Sequence, residues 1–250
     1  MTVAALLDLG ASEEKLRAAL ESLPLSGYSV CISRVKKSGL DACDFNVILD
    51  EAHENHDHDM QYLHGNGEGH GHDHHHEHHH RGFKEICEII DGSRISGGAR
   101  TIAKRIFEVI AEAEAKAHGA DISQVHFHEV GAVDSIVDVV AAAVCLDDID
   151  IKDVIVSPLA EGFGTIRCQH GIIPVPVPAV VNIVSRYGLV LRSINVEGEL
   201  VTPTGAAIMA AVGKQEALPE NYRILATGLG AGKRDYPTSG IVRAMIIESV

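Results

Sequence analysis

The sequence predicts an α/β protein: a layered mixed sheet with flanking helices and one long histidine-rich insertion. Three observations lead there. Helical and strand patterns alternate through the second half of the chain, which favours an α/β layer architecture. Apolar residues make up 46% of 250 positions, enough to bury a full core. From His53 to His80 the composition changes: twelve residues are histidine, interleaved with Asp, Glu, Asn and Gly, so this stretch cannot form a core. One α/β domain over residues 1–250 is expected, with 51–82 a flexible loop.

Taken in order, Thr2 to Leu9 is an apolar helical run closed by Gly10. Ser12 caps a second helix to about Leu23, with Glu13 and Glu14 in its first turn and Pro24 as a stop. Tyr28 to Val35 and Phe45 to Leu49 read as strands joined through a turn at Ser38-Gly39. After the insertion, Phe83 to Ile90 is a short helix, and Gly97-Gly98 precede a long one from about Ala99 to Lys116 with Ile102, Ile106, Val109 and Ile110 as its apolar stripe. His118-Gly119 ends it, with His118 read as a cation on the helix dipole. A helix after Gly131 runs to about Leu146. Asp147, Asp148, Asp150 and Asp153 then read as a solvated acidic turn, since no EF-hand spacing is present. Val154 to Ser157 is a strand, Pro178 to Tyr187 a helix, and Leu189 to Leu191 strand-like. Thr202 caps a helix with Pro203 at its first position, and Ile241 to Ile247 closes the chain as a strand.

A formal charge of −14 argues against nucleic acid or an anionic membrane as the main partner and favours cations. No apolar run reaches the roughly 20 residues of a spanning helix, and the N-terminus lacks the order of a secretion signal, so a cytoplasmic protein is expected. Cys31, Cys43, Cys87, Cys145 and Cys168 are an odd number without a CxxC pair, which is not a disulfide framework.

The chemistry concentrates in Val125 to Val140, VHFHEVGAVDSIVDVV. In a strand, His126 and His128 would point to one face, with Glu129 following at a strand-to-helix junction, and neighbouring ionisable groups in such a place commonly belong to sites. Asp134 and Asp138 sit one turn apart on a helix that is apolar nearly all round, where like charges need a proton, an arginine or a metal. The plainer account is that Asp134 answers the helix dipole and Asp138 pairs with a surface lysine.

The histidine tract, including His70, His72, His74, His75, His76, His78, His79 and His80, offers imidazoles for nickel, copper or zinc. A floppy segment suits collection of metal rather than catalysis. Cys168 and His170, again two apart, are a reasonable pair for nickel or zinc, and packing explains them equally well. Pro174, Pro176 and Pro178 exclude a central strand beside them. Two segments could hold an anion: Thr202-Pro203-Thr204 at a helix N-terminus, and GLGAGKRD, with Gly228, Gly230 and Gly232 before Lys233. Capping and a simple turn account for the same residues.

VHFHEVGAVDSIVDVV, GFGTIRCQHGIIPVPVPA, EGELVTPTGAA and GLGAGKRD, in this order behind a histidine-rich insert, resemble the LarC-type nickel insertion proteins along essentially the whole chain. The resemblance implies a lyase-type nickel chelatase. It would insert nickel into a pyridinium bisthiocarboxylic acid mononucleotide to make the nickel-pincer cofactor of lactate racemase, consuming CTP with manganese or magnesium. It also implies that the family's first strand lies before Met1 and that CTP is bound mainly by a C-terminal domain, separately encoded or frameshifted, beyond Val250. A homo-oligomer is expected. On this reading His126, His128, Cys168 and His170 hold or relay nickel, and Glu129 or His128 takes the ring proton lost when a metal–carbon bond forms. The alternatives are a nickel metallochaperone or store without chemistry of its own, and a zinc hydrolase, for which the HExxH spacing is missing.

Overall fold

The computed structural model describes residues 1–50, 81–125, 127, 132–151, 153–168, 170–214 and 216–250. The chain begins with helices α1 (Thr2–Leu9) and α2 (Glu13–Glu21) and the hairpin β1 (Tyr28–Lys37) and β2 (Leu40–Leu49). After the insertion come α3 (Phe83–Asp91), α4 (Gly97–His118), a single 3-10 turn at Ile122–Gln124 and α5 (Val133–Ile149). The remainder is β3 (Val154–Ile155), β4 (Leu159–Phe163), β5 (Thr165–Cys168), β6 (Gly171–Pro174), α6 (Pro178–Tyr187), β7 (Leu191–Glu197), α7 (Pro203–Val212), β8 (Gly213–Lys214), β9 (Tyr222–Ala231) and β10 (Ile241–Ser249).

The α/β class predicted from the sequence is what forms. Its strands make one four-stranded mixed sheet, ordered β1-β2-β9-β10, and three two-stranded ladders, β3-β8, β4-β7 and β5-β6. The β1-β2 connection is the expected Ser38-Gly39 turn. Both residues have positive φ, 50° and 82°, which matches the twist of the flanking antiparallel strands. β2 joins β9 in parallel through Cys43 and Gly230, and β9 pairs antiparallel with β10.

The core is built around α5. Ile136, Val137, Val139, Val140, Ala141, Ala142 and Ala143 are fully buried, so the helix is enclosed on most sides, as a helix without a polar face must be. α1, α2, α4 and β2 all pack against it. Helix ends follow local chemistry: Ser12, Ser96 and Thr202 each accept a backbone amide from the first turn, and Gly119 and Gly188 take left-handed conformations after α4 and α6.

Three expectations change. β9 replaces the loop read at its glycines: Gly228 and Gly230 lie inside a strand, where a Cβ would meet Ala5 O at 2.1 Å and Met1 O at 2.0 Å. The glycines let α1 lie directly on the sheet. The strand read at Leu189 to Leu191 begins only at Leu191 and extends to Glu197. The acidic turn is partly structural: Asp147 accepts from Ser96 Oγ at 2.6 Å, and Asp148 accepts from the Ser12 amide at 2.7 Å and from Lys15. The end of α5 thereby ties down the starts of α4 and α2.

Candidate metal and substrate site

His126, His128 and Glu129 lie outside the described residues, as do His70, His72, His74, His75, His76, His78, His79 and His80. Their described neighbours Val125 and Phe127 are 5% and 2% exposed, and neither belongs to a sheet. Phe127 packs its ring 6.2 Å from that of Phe107 on α4, and its amide donates to Arg81 O at 3.2 Å. Phe127 is therefore pinned between α4 and the entry to α3.

Asp134 sits in the first turn of α5, half-buried, where the dipole favours a carboxylate. Asp138, one turn on, is exposed, so it does not carry the cost of a core carboxylate expected from the pattern alone. Asp138 and Lys233 act with opposite sign on the Met1 amine, whose proton affinity is lowered chiefly by burial. The two side chains, from α5 and from the segment after β9, thus share one neighbourhood at the start of α1. Lys233 Nζ donates to Asn46 Oδ1.

Cys168 and His170 are brought together, though not by an extended strand. Cys168 ends β5 opposite Gly171, the first residue of β6, so His170 lies in the turn of a hairpin. Across that tip Cys168 Sγ lies 3.8 Å from His170 Nδ1. Cys168 is buried and His170 exposed. A third side chain, which the sequence placed only as a helix-end cation, meets His170. The ring of His118 stands 5.1 Å from that of His170, inclined at 42°, and His118 Nε2 lies 3.4 Å from Glu114 Oε2. The other described cysteines differ in character. Burial pushes the Cys145 thiol up to about 12 and raises Cys43 and Cys87, as for small apolar residues in a core.

Thr202 and Thr204 stand at the start of α7, where Thr202 Oγ1 accepts the Gly205 amide at 3.1 Å. The loop before them is held by a residue that pattern reading passed over. Glu161, 1% exposed on β4, accepts through one oxygen from the amides of Gly162, Leu200 and Val201 at 2.9, 2.9 and 3.3 Å. An acid inside the otherwise small and apolar run Leu159 to Phe163 was the available signal. Arg234 and Tyr236 hold the same loop by donating to Glu199, so the GLGAGKRD and EGELVTPTGAA segments meet in space. Two backbone amides of the first segment are committed: Leu229 N donates to Asp8 Oδ2 at 2.7 Å and Gly232 N to Gly240 O at 2.8 Å.

A cleft of about 300 Å³ between α4 and α6 lies elsewhere. Among the residues lining it, Arg186 and Tyr187 both donate to Glu112, and none of the predicted site residues takes part.

These features define an α/β protein with nitrogen and sulfur donors gathered at a hairpin tip and a helix end, the donor set of late first-row metals. Over residues 1–250 the chain matches the family described as nickel insertion protein, and it belongs to that family. It is 54% identical over 249 residues to the pyridinium-3,5-bisthiocarboxylic acid mononucleotide nickel insertion protein of Alkaliphilus metalliredigens, covering 99% of this chain and 57% of that protein. A protein of the same name from Geobacillus kaustophilus is 42% identical over 254 residues, covering 99% and 56%. A putative nickel insertion protein of a Geobacter species (strain M21) is 40% identical over 237 residues, covering 95% and 55%. The chain thus spans a little over half the length of these relatives. No solved structure matches it. Among the described residues no helix is long and apolar enough to cross a membrane.

Proposed function

We propose that this chain takes up nickel as cargo and inserts it into a pyridinium-3,5-bisthiocarboxylic acid mononucleotide, acting as one part of the insertase. The name carried by the Alkaliphilus relative, 54% identical along nearly the whole chain, is the observation that carries this reading. The nickel-pincer product would serve lactate racemase. CTP and its manganese or magnesium activator are assigned to the portion of the relatives that this chain does not span.

The roles follow from donor chemistry. Cys168 and His170, with His126 and His128, hold nickel between delivery and insertion, because thiolate and imidazole suit this ion and release it to a dithio ligand of comparable softness. Glu129 or His128 accepts the proton displaced from the ring, while Asp134 and Asp138 balance the cation. Thr202 and Thr204 at the start of α7, with Lys233, take the phosphate of the mononucleotide. Gly228 and Gly230 serve that end indirectly, by seating α1 against the strand that leads into Lys233, and Gly232 does so by lying against Met1.

Removing residues 53–80 discriminates this reading from a pure store, which the histidine content favours. With excess nickel, the shortened protein keeps forming product if insertion is the function, whereas a store loses all delivery. Cys168→Ser and His170→Ala abolish product in both backgrounds. Full product formation by these two variants would remove the assigned ligand roles.

A further inference from the structure

Sixteen histidines are present, twelve of them in the tract and the others at His118, His126, His128 and His170. Two of the latter four, distant in sequence, stand ring to ring at an incline, and one of them, His170, lies beside Cys168. We propose that His118 is the third protein ligand of a site for a divalent late first-row cation whose other ligands are Cys168 and His170, with Glu114 orienting it. The proposal rests on the reading of Cys168 and His170 as nickel ligands and deepens it.

The distances carry the argument. With metal–sulfur and metal–nitrogen bonds of about 2.3 and 2.1 Å, two ligands of a tetrahedral ion stand about 3.6 Å apart. Cys168 Sγ and His170 Nδ1 are 3.8 Å apart, slightly open of that value. Two imidazoles on one tetrahedral ion, each ring centre about 3.2 Å from it, have centres about 5.2 Å apart. His118 and His170 are at 5.1 Å and are inclined rather than stacked. Metal-bound histidines usually donate their second ring nitrogen to a carboxylate. Glu114 stands 3.4 Å from His118 Nε2, the place such a carboxylate takes beside a ligating imidazole. The ion would also lie at the C-terminal, negative end of the 22-residue helix α4. Among the described residues no three such side chains already enclose a point at ligand distance. Small side-chain shifts at the exposed hairpin tip and helix end, within the present rotamers, supply the remaining adjustment.

The test uses the full chain titrated with Co(II) or Ni(II) in a metal buffer, read by the thiolate-to-metal charge-transfer absorption in the near ultraviolet. The tract contains no cysteine, so this band is blind to it. The wild-type band should vanish in Cys168→Ser. In His118→Gln it should need at least about tenfold more free metal to reach half intensity, and in Glu114→Gln about tenfold, the usual scale for a supporting carboxylate. His118→Lys keeps a cation at the helix end but offers no ligand at neutral pH, and should behave as His118→Gln. It also carries the test if the glutamine variant fails to fold. Wild-type band affinity in His118→Lys overturns the role of His118 and leaves the Cys168–His170 pair intact. A wild-type protein without any thiolate band overturns the reading beneath it.

Discussion

Replacing Gly230 by alanine separates two explanations of the GLGAG segment. A Cβ there would lie 2.0 Å from Met1 O and 2.5 Å from Ala5 N, both backbone atoms of α1. Ordinary contact begins near 3.5 Å, so α1 must retreat by roughly 1 Å or more, and it cannot do so by a rotamer change. The helix buries Val3, Ala4, Ala5 and Leu6 between 0% and 7% exposed, and lifting it loosens those contacts. Overpacking of this kind costs about 1–3 kcal/mol, while removing glycine from a strand returns about 0.5–1 kcal/mol. A net loss of up to about 2 kcal/mol corresponds to a fall in Tm of up to roughly 4–8 °C for a chain of this size. Gly228→Ala should behave alike, its Cβ meeting Ala5 O at 2.1 Å. Gly232→Ala first meets the flexible end of the Met1 side chain, at 2.8 Å, and should cost less than about 1 kcal/mol. Thermal unfolding followed by far-ultraviolet circular dichroism measures the series. An unchanged Tm in Gly230→Ala, with weakened binding of a mononucleotide, would refute the packing account and restore the anion-gripping one.

Three other outcomes are expected. Asp148→Asn removes the carboxylate that holds the Ser12 amide and Lys15, costing about 0.5–2 kcal/mol at neutral pH, the range of a lost helix cap. The Lys15 hydrogen bond, then that of Ser12, holds Asp148 below the usual carboxylate range, so its contribution is present above the unfolded value near 3.9 and is lost as pH falls through the lower folded value. The stability gap between wild type and Asp148→Asn should therefore be flat above about pH 5 and close below about pH 4, as denaturant titrations at several pH values would show. Glu161→Ala orphans three loop amides and should destabilise by about 2–5 kcal/mol, with Glu161→Gln well short of that; equal effects from both would deny the oxygen acceptor its role. Total nickel bound at equilibrium dialysis should fall below about pH 6, as imidazoles with ordinary values near 6.5 take up protons.

Local chemistry made the helices legible. Ser12 and Thr202-Pro203 announce starts, and Gly10 and Gly119 announce ends, because unsatisfied amides and carbonyls demand those residues nearby; the Ser96 cap was passed over, and its helix begins at Gly97 where Ala99 was expected. β9 was hidden because glycine is poor in strands, and only the approach of α1, a tertiary fact, explains why a strand contains Gly228 and Gly230. The Cys168–His170 pairing was visible as spacing, but its geometry was not: a hairpin tip joins them where an extended segment was expected. His118 and Glu161 could not be assigned locally. Their partners, His170 for one and the 200–201 amides for the other, come from distant parts of the chain.

The most direct test of nickel insertion incubates this chain with nickel, CTP, manganese and the pyridinium bisthiocarboxylic acid mononucleotide, with and without a supplied C-terminal portion of a relative, and follows the mass of the substrate. The account predicts a nickel-containing product in the supplemented mixture that disappears with Cys168→Ser. Abundant bound nickel with no nickel-containing product in either mixture would contradict it and leave a metal store.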